Sequence, residues 1–366
     1  MSTLRAMPSR PRRRAAPAFP RVALLLAALL ACAHAVPAQA PARRPDVLGA
    51  IARPGHALPG FVTTSNGEQV SSRTLSCGSR LWISAAPSAD FDPMRPTRVI
   101  VYALPNGNTI EQTIGRAVGP GVDWHYGIQH IGAQARELRR IDTAHNVAVA
   151  YLEARGRSWP AWRRTHGADA APRIAEMLEL AAAPFAGFAP RVELGGHSGG
   201  GSLIFGFLNG VDDIPSTVTR IAFLDANYAY DAAAGHADKL ARWLLRGGDR
   251  VLVVAAYDDR RVEIDGKRIV SEEGGTWGRT QAMARDLRAR LPLHQTTGTL
   301  AWEATGLGGR VDLRAHLNPE NRILHTVLVE RNGFLHAMLA GGPLADRNPG
   351  FFTDPVYTRW IAPSDE

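Results

Sequence analysis

Ser198 stands in Val192-Glu193-Leu194-Gly195-Gly196-His197-Ser198-Gly199-Gly200-Gly201, which contains G-x-S-x-G at Gly196–Gly200. An apolar stretch leads in and a second one leads out, so the pattern reads as strand, sharp turn, helix. Such a turn presents a serine hydroxyl at the end of a strand, where it can act as a nucleophile. Glycine is needed on both sides because a Cβ there would collide with the neighbouring strand and helix. The helix start after the serine turns the Gly199 N–H towards any oxyanion that forms. The bland alternative is a glycine-rich connector with a capping serine, in a chain holding 36 glycines.

The elements around this turn alternate. Arg80–Ala86 and Arg98–Leu104 read as strands, the latter with Val99-Ile100-Val101-Tyr102. Residues 128–141 place Ile128, Ile131, Ala135 and Leu138 on one helical face. Asn146–Leu152 is a continuous apolar run suited to a parallel sheet covered on both faces. Ile174, Met177, Leu178 and Ala181 mark a helix, Arg191–Leu194 a short strand, and Ser202–Leu208 the helix after the turn. Arg220–Leu224 and Arg250–Ala256 read as strands, with a helix over Ala237–Leu245 between them. Thr280–Leu291 reads as a helix and Thr326–Val329 as a last strand. Residues 292–323 break the alternation and suggest an inserted hairpin, with Thr299–Trp302 and Arg310–Arg314 as its arms. The pattern predicts right-handed βαβ units and an α/β fold with a mainly parallel sheet.

With these elements in place the sequence resembles the α/β-hydrolase superfamily over about residues 80 to 345, through motif spacing and strand order. The resemblance implies an eight-stranded, mostly parallel sheet with helices on both faces. It also implies a serine hydrolase of carboxylesterase or lipase type, working without a cofactor through the chain order serine, acid, histidine. The histidine should lie in the loop after the last strand, which makes His336 the expected general base and His325, before that strand, structural. His197 should be a packing residue. Two acids fit. Asp258 in Tyr257-Asp258-Asp259-Arg260 follows the Arg250–Ala256 strand and is preferred; Asp225 in Leu224-Asp225-Ala226-Asn227 matches a lipase variant in which the acid follows the preceding strand. The second oxyanion donor should come from Leu104-Pro105-Asn106-Gly107-Asn108, with Asn106 and Gly107 as candidates beside Gly199. Many members carry His-Gly there and this chain carries Asn-Gly. A simple turn predicts the same residues.

Other chemistry-bearing residues carry less. His125 and His130, five apart, are poorly spaced for metal on one helix face, so they read as surface or pocket-rim groups and no metal site is expected. Gly274-Gly275-Thr276-Trp277 reads as a loop able to shape access, or as a plain connector. Cys77 has no motif around it and reads as a buried small residue.

The first 40 residues set the compartment. Six arginines precede the apolar run Val22–Ala31, no acid is present, and Ala33-His34-Ala35 and Ala38-Gln39-Ala40 are cleavage patterns. This is a secretory signal peptide, predicting a secreted or periplasmic protein without a stable membrane span. Leu29-Leu30-Ala31-Cys32 resembles a lipobox, so a lipoprotein anchored at Cys32 is the alternative. Residues 41–79 form a proline-rich lead-in and 80–366 the catalytic domain. Of 42 basic residues six lie in the signal, leaving 36 against 34 acids, a net +2, with no long basic cluster to bind nucleic acid. The expected substrate is a small-molecule or polymeric ester. An amidase or peptidase with the same three residues, and a binding protein that keeps the fold without turnover, are the alternatives.

Overall fold

Val, Ile, Leu and Ala predominate in the central strands, whose residues are nearly all buried, and a segment apolar on both faces is stable only when both faces are covered. In the computed structural model of the chain, which describes residues 55–271 and 275–364, these segments form one sheet. The signal segment, Cys32 and most of the lead-in lie outside the described residues. The strands are β1 (Val62–Thr63), β2 (Gln69–Thr74), β3 (Arg80–Ala85), β4 (Thr97–Ala103), β5 (Asn146–Glu153), β6 (Arg191–His197), β7 (Val218–Leu224) and β8 (Val251–Tyr257). There follow a two-stranded hairpin of β9 (Glu263–Ile264) and β10 (Lys267–Arg268), then β11 (Leu293–Thr297), β12 (Ala301–Gly306) and β13 (Val311–His316).

The main sheet runs β1-β2-β3-β5-β4-β6-β7-β8-β13-β12-β11. Its centre, β5-β4-β6-β7-β8-β13, is parallel throughout, and β3 pairs antiparallel with β5. The eight strands from β2 to β13 in this order make the mostly parallel eight-stranded sheet expected from the sequence. The end of the proline-rich lead-in contributes β1 and β2 to it, and β12 and β11 extend the far edge.

Helices α1 (Ile110–Ile114), α2 (Ile131–Ile141) and α8 (Phe334–Leu339) cover one face; α3 (Trp159–His166), α4 (Ala170–Ala182), α5 (Gly201–Asn209), α6 (His236–Leu245) and α7 (Gly275–Arg288) cover the other. Strand side chains alternate between the two cores: Val99 and Val101 pack with Trp159 and Ile174, whereas Ile100 and Tyr102 pack with Ile131 and Phe334. Burying each such aliphatic side chain is worth about 1.5–3 kcal/mol.

One element differs from expectation. Thr326–Val329 is not a strand: it turns into a helical segment leading to α8, with Leu328 buried against Tyr257, Val262 and Leu324. The last parallel strand is β13, the Arg310–Arg314 run that reads as a hairpin arm. Its partner on one side is β8, in register from Val311↔Leu252 to His316↔Tyr257. A four-residue apolar run has no period that separates a strand from a buried helical turn. The loop after the last strand is therefore residues 317–328.

Candidate active site

The turn at Ser198 follows β6, which sits between β4 and β7 in the sheet. Ser198 has φ +52°, a left-handed backbone that a serine adopts only when its surroundings impose it. The surroundings do so through close packing. A Cβ on Gly200 would lie 2.9 Å from the Ala103 carbonyl carbon and 3.1 Å from the Leu104 oxygen; one on Gly201 would lie 2.7 Å from the Ala226 carbonyl carbon. Neither contact can relax without moving a strand end.

Parallel pairing of β6 with β7 sets His197 opposite Leu224, so Ser198 and Asp225 leave adjacent strands at the same level. Asp225 also has a positive φ, +46°, and is fully buried. Its Oδ2 lies 2.5 Å from Nδ1 of His325, and its Oδ1 accepts from the Thr276 hydroxyl. Charge and both lone-pair directions of a buried carboxylate are thus engaged.

His325 is placed by the 317–328 loop. Asn318 closes that loop: its side-chain amide donates to the Asp258 carbonyl (3.0 Å) and the Arg322 carbonyl (2.9 Å), and its oxygen accepts from the Arg322 N–H (3.0 Å). Leu324 and Leu328, on either side, are buried against Tyr257 and Val262. The His325 carbonyl accepts from Nε2 of His197 at 3.0 Å, and the two rings lie 4.5 Å apart. His197 is therefore more than packing: it ties the loop that carries His325 to the residue before the serine. Burial first, then the neighbouring His325, holds the His197 pKa well below that of a free imidazole, so it stays neutral with its proton on Nε2. The His325 side chain keeps about a quarter of its surface open (26 %), enough to meet a substrate.

The other expected residues stand elsewhere. His336 is on α8, 2 % exposed. Its Nδ1 faces the Asn348 amide at 3.1 Å and its Nε2 lies 3.6 Å from Asp312 Oδ2. Asp312 precedes His316, the end of β13, by four residues, about 13 Å of strand. His336 is thus sunk beneath the end of the sheet where Ser198 emerges, and burial pushes its pKa down. The expectation for it rested on taking Thr326–Val329 as the last strand, and the corrected loop holds His325 instead. The Asp258 carboxylate pairs with no histidine among the described residues. Both its oxygens face Arg260, which donates from Nε (2.9 Å) and Nη2 (2.7 Å) and lies over the Trp277 ring.

The residue next to it, Asp259, does turn inward. It is 1 % exposed and its Oδ2 accepts from the Thr276 N–H at 3.1 Å. Burial, and next the Asp225 charge, push its pKa up to about 6. Gly275 and Thr276, read from sequence as an access loop, are the first residues of α7.

Among the oxyanion candidates, Gly199 lies directly against the Asn106 side chain. The Gly107 N–H is already committed to the Arg157 carbonyl at 2.8 Å, which removes Gly107 as a donor. Gly199 and Asn106 remain. Cys77 is buried, as its sequence context predicts, and His125 stacks on exposed Trp124. Among the described residues no group of three or more His, Cys, Asp or Glu could hold a metal ion, and no helix is long and apolar enough to cross a membrane.

No protein-family model matches the chain. No curated protein is similar to it. Solved structures are similar at a distance. A thermostable esterase shares 14 % identity over 75 % of this chain at TM-score 0.44, and the chain spans less than two thirds (62 %) of its length. An IroE-like serine hydrolase from Shewanella oneidensis shares 12 % over 71 % of this chain and 76 % of its own, at TM-score 0.42. Siderophore hydrolase EstB from Aspergillus nidulans shares 13 % over 75 % of this chain and 94 % of its own, at TM-score 0.37. These likenesses are too distant to assign a role to any residue, and the site rests on its own geometry.

Proposed function

We propose that the chain is a serine hydrolase that cleaves carboxylic esters, with Ser198 as nucleophile, His325 as general base and Asp225 as the acid that orients it. The observation that carries the reading is the 2.5 Å pair between Asp225 Oδ2 and His325 Nδ1, beside a serine held at φ +52°. A carboxylate on Nδ1 fixes the tautomer that leaves Nε2 free to accept a proton.

In the proposed cycle Nε2 of His325 takes the Ser198 proton as Oγ bonds to the ester carbonyl carbon. Charge moves to the carbonyl oxygen, which the Gly199 N–H and the Asn106 region receive. Collapse breaks the bond to the alkoxy oxygen, which leaves as alcohol with the proton from His325. Water then gives a proton to His325, adds to the acyl carbon, and the carboxylic acid departs as Ser198 regains its hydrogen. The imidazolium formed in each half is stabilised by Asp225. No cofactor enters the scheme. Residues 1–40 act as the export signal, so the enzyme works outside the cytoplasm; a mature N-terminus after Ala35 or Ala40, read by mass spectrometry, supports this, and one at Met1 refutes it.

The test is covalent labelling with a fluorophosphonate alongside turnover of p-nitrophenyl acetate and a matched p-nitroanilide. Wild-type protein should label and cleave the ester faster; Ser198→Ala should do neither, and His325→Ala should lose turnover. Labelling that survives Ser198→Ala sinks the proposal. Faster anilide cleavage turns the reading to an amidase.

A further inference from the structure

Asp225 must hold one rotamer for its Oδ2 to stay on His325, and the structure contains a device outside the three reacting residues that does this. We infer that Thr276 is a positioning residue, anchored by Asp259, that fixes the Asp225 carboxylate; this rests on the proposed roles of Asp225 and His325.

The hydroxyl of Thr276 donates to Asp225 Oδ1, the oxygen that His325 does not use. Thr276 is itself fully buried and held from two sides. Its N–H donates to Asp259 Oδ2 at 3.1 Å, and its carbonyl accepts from the Thr280 hydroxyl at 2.7 Å. The Thr280 oxygen in turn accepts from Asn227 Nδ2 at 2.9 Å, and Asn227 is two residues after Asp225. The hydrogen bonds therefore run from Asp225 through Thr276 and Thr280 back to the strand end that carries Asp225. This chain holds the Thr276 backbone in place, with its hydroxyl on Oδ1. Gly275, at φ +71°, lets α7 begin against Asp259, since a Cβ there would lie 2.6 Å from the Asp259 carboxyl carbon.

Asp259 brings a second carboxyl group into a site where one is already buried, and its Oδ1 has no hydrogen-bond partner among the described residues. A helix start needs no such arrangement: an exposed Ser or Asp would cap it without placing two acids together. The raised pKa of Asp259 reports the same crowding. Anchoring Thr276 is what the second acid accomplishes.

The experiment measures kcat, KM and fluorophosphonate-titrated active sites for Thr276→Val, Thr276→Ser, Asp259→Ala and the double variant Thr276→Val/Asp259→Ala, with Asp225→Asn in parallel. Thr276→Val, equal in shape but without the donor, should lower kcat per titrated site by about 10- to 100-fold with KM within about twofold. Thr276→Ser should restore kcat to within about threefold of wild type. Asp259→Ala should lower kcat in the same direction, and the double variant should be no slower than Thr276→Val, because both act through one contact. Wild-type kcat in Thr276→Val, with Asp225→Asn inactive, overturns the inference and leaves the functional reading intact. Full activity in Asp225→Asn overturns that reading and the inference with it. If Thr276→Val yields too few titrated sites to measure, Asp259→Ala decides: a wild-type kcat per titrated site there refutes the inference, and a loss like that expected of Thr276→Val supports it.

Discussion

Replacing Asp225 by Asn separates the two candidate acids, and the structure fixes what the amide must do. Thr276 donates to Oδ1, so the Asn oxygen stays on that hydroxyl and its NH2 group faces His325 Nδ1. Nδ1 must then accept, the ring proton moves to Nε2, and the base meets the Ser198 hydroxyl with a donor where an acceptor is needed. The imidazolium also loses its counter-charge. In serine proteases the comparable change costs about 10⁴ in kcat, which corresponds to about 5.4 kcal/mol of transition-state stabilisation. Shape and hydrogen-bond count are conserved, so the melting temperature should move little. The comparison is Asp258→Asn. The Asp258 carboxylate pairs with Arg260, whose side chain is 43 % exposed, so its loss should cost at most about 1 kcal/mol of stability and leave kcat within about twofold. The assay is ester turnover per fluorophosphonate-titrated site, with thermal melts on the same samples. A wild-type rate in Asp225→Asn together with an inactive Asp258→Asn would refute the reasoning outright.

Three further outcomes are expected. His336→Ala should lower stability by about 2–4 kcal/mol, by opening a cavity and stranding the Asn348 amide, while kcat per titrated site stays at the wild-type value; a kcat loss of orders of magnitude would return His336 to the reacting set. Gly201→Ala should yield no folded protein or lose at least about 3 kcal/mol by denaturant titration, because its Cβ runs into the Ala226 backbone, whereas Gly187→Ala, in open space, should stay within about 0.5 kcal/mol. Asp259→Asn should be more stable than wild type at pH 8 by about 1–3 kcal/mol. The folded chain holds the Asp259 proton more tightly than the unfolded chain, so wild-type stability contributed there falls as pH rises from 3.8 through about 6. The advantage of the variant should therefore vanish near pH 4; an equal advantage at both pH values would contradict the shifted carboxyl.

The sheet and the turn were legible because they are written in local patterns. RVLVVAA and NVAVAYL are continuous apolar runs rich in β-branched residues, and the glycines flanking Ser198 stand where a strand leads in and a helix leads out. The histidine was not legible. Thr326–Val329 has four residues and no period, and its apolar side chains are equally at home on a strand or, as here, under a loop. That one element moved the end of the sheet past His325 and offered His336 in its place. The signal that would have found it is the alternation in Val311-Asp312-Leu313-Arg314-Ala315, which continues the pattern of Ala301–Gly306 across a short turn. Between Asp225 and Asp258 the sequence left a real tie, since both follow strands. The proposed choice of Asp225 rests on Arg260, which occupies Asp258, and on Thr276 from α7, 51 residues away in the chain from Asp225. Contacts of that separation leave no trace in a single sequence.

Ser198 and Asp225 leave two hydrogen-bonded strands at matched positions, so their spacing is as stiff as the sheet itself. His325 alone arrives on a loop, whose hold on that sheet is Asn318, two buried leucines and the bond from His197. Heating should then disable the molecule in two stages: the imidazole drifts out of range first, while the eleven strands still stand, and turnover recovers on cooling. On the proposed reading, the weakest point in its working life is thus a tether of a dozen residues, and stiffening residues 317–328 should lengthen that life without touching either strand.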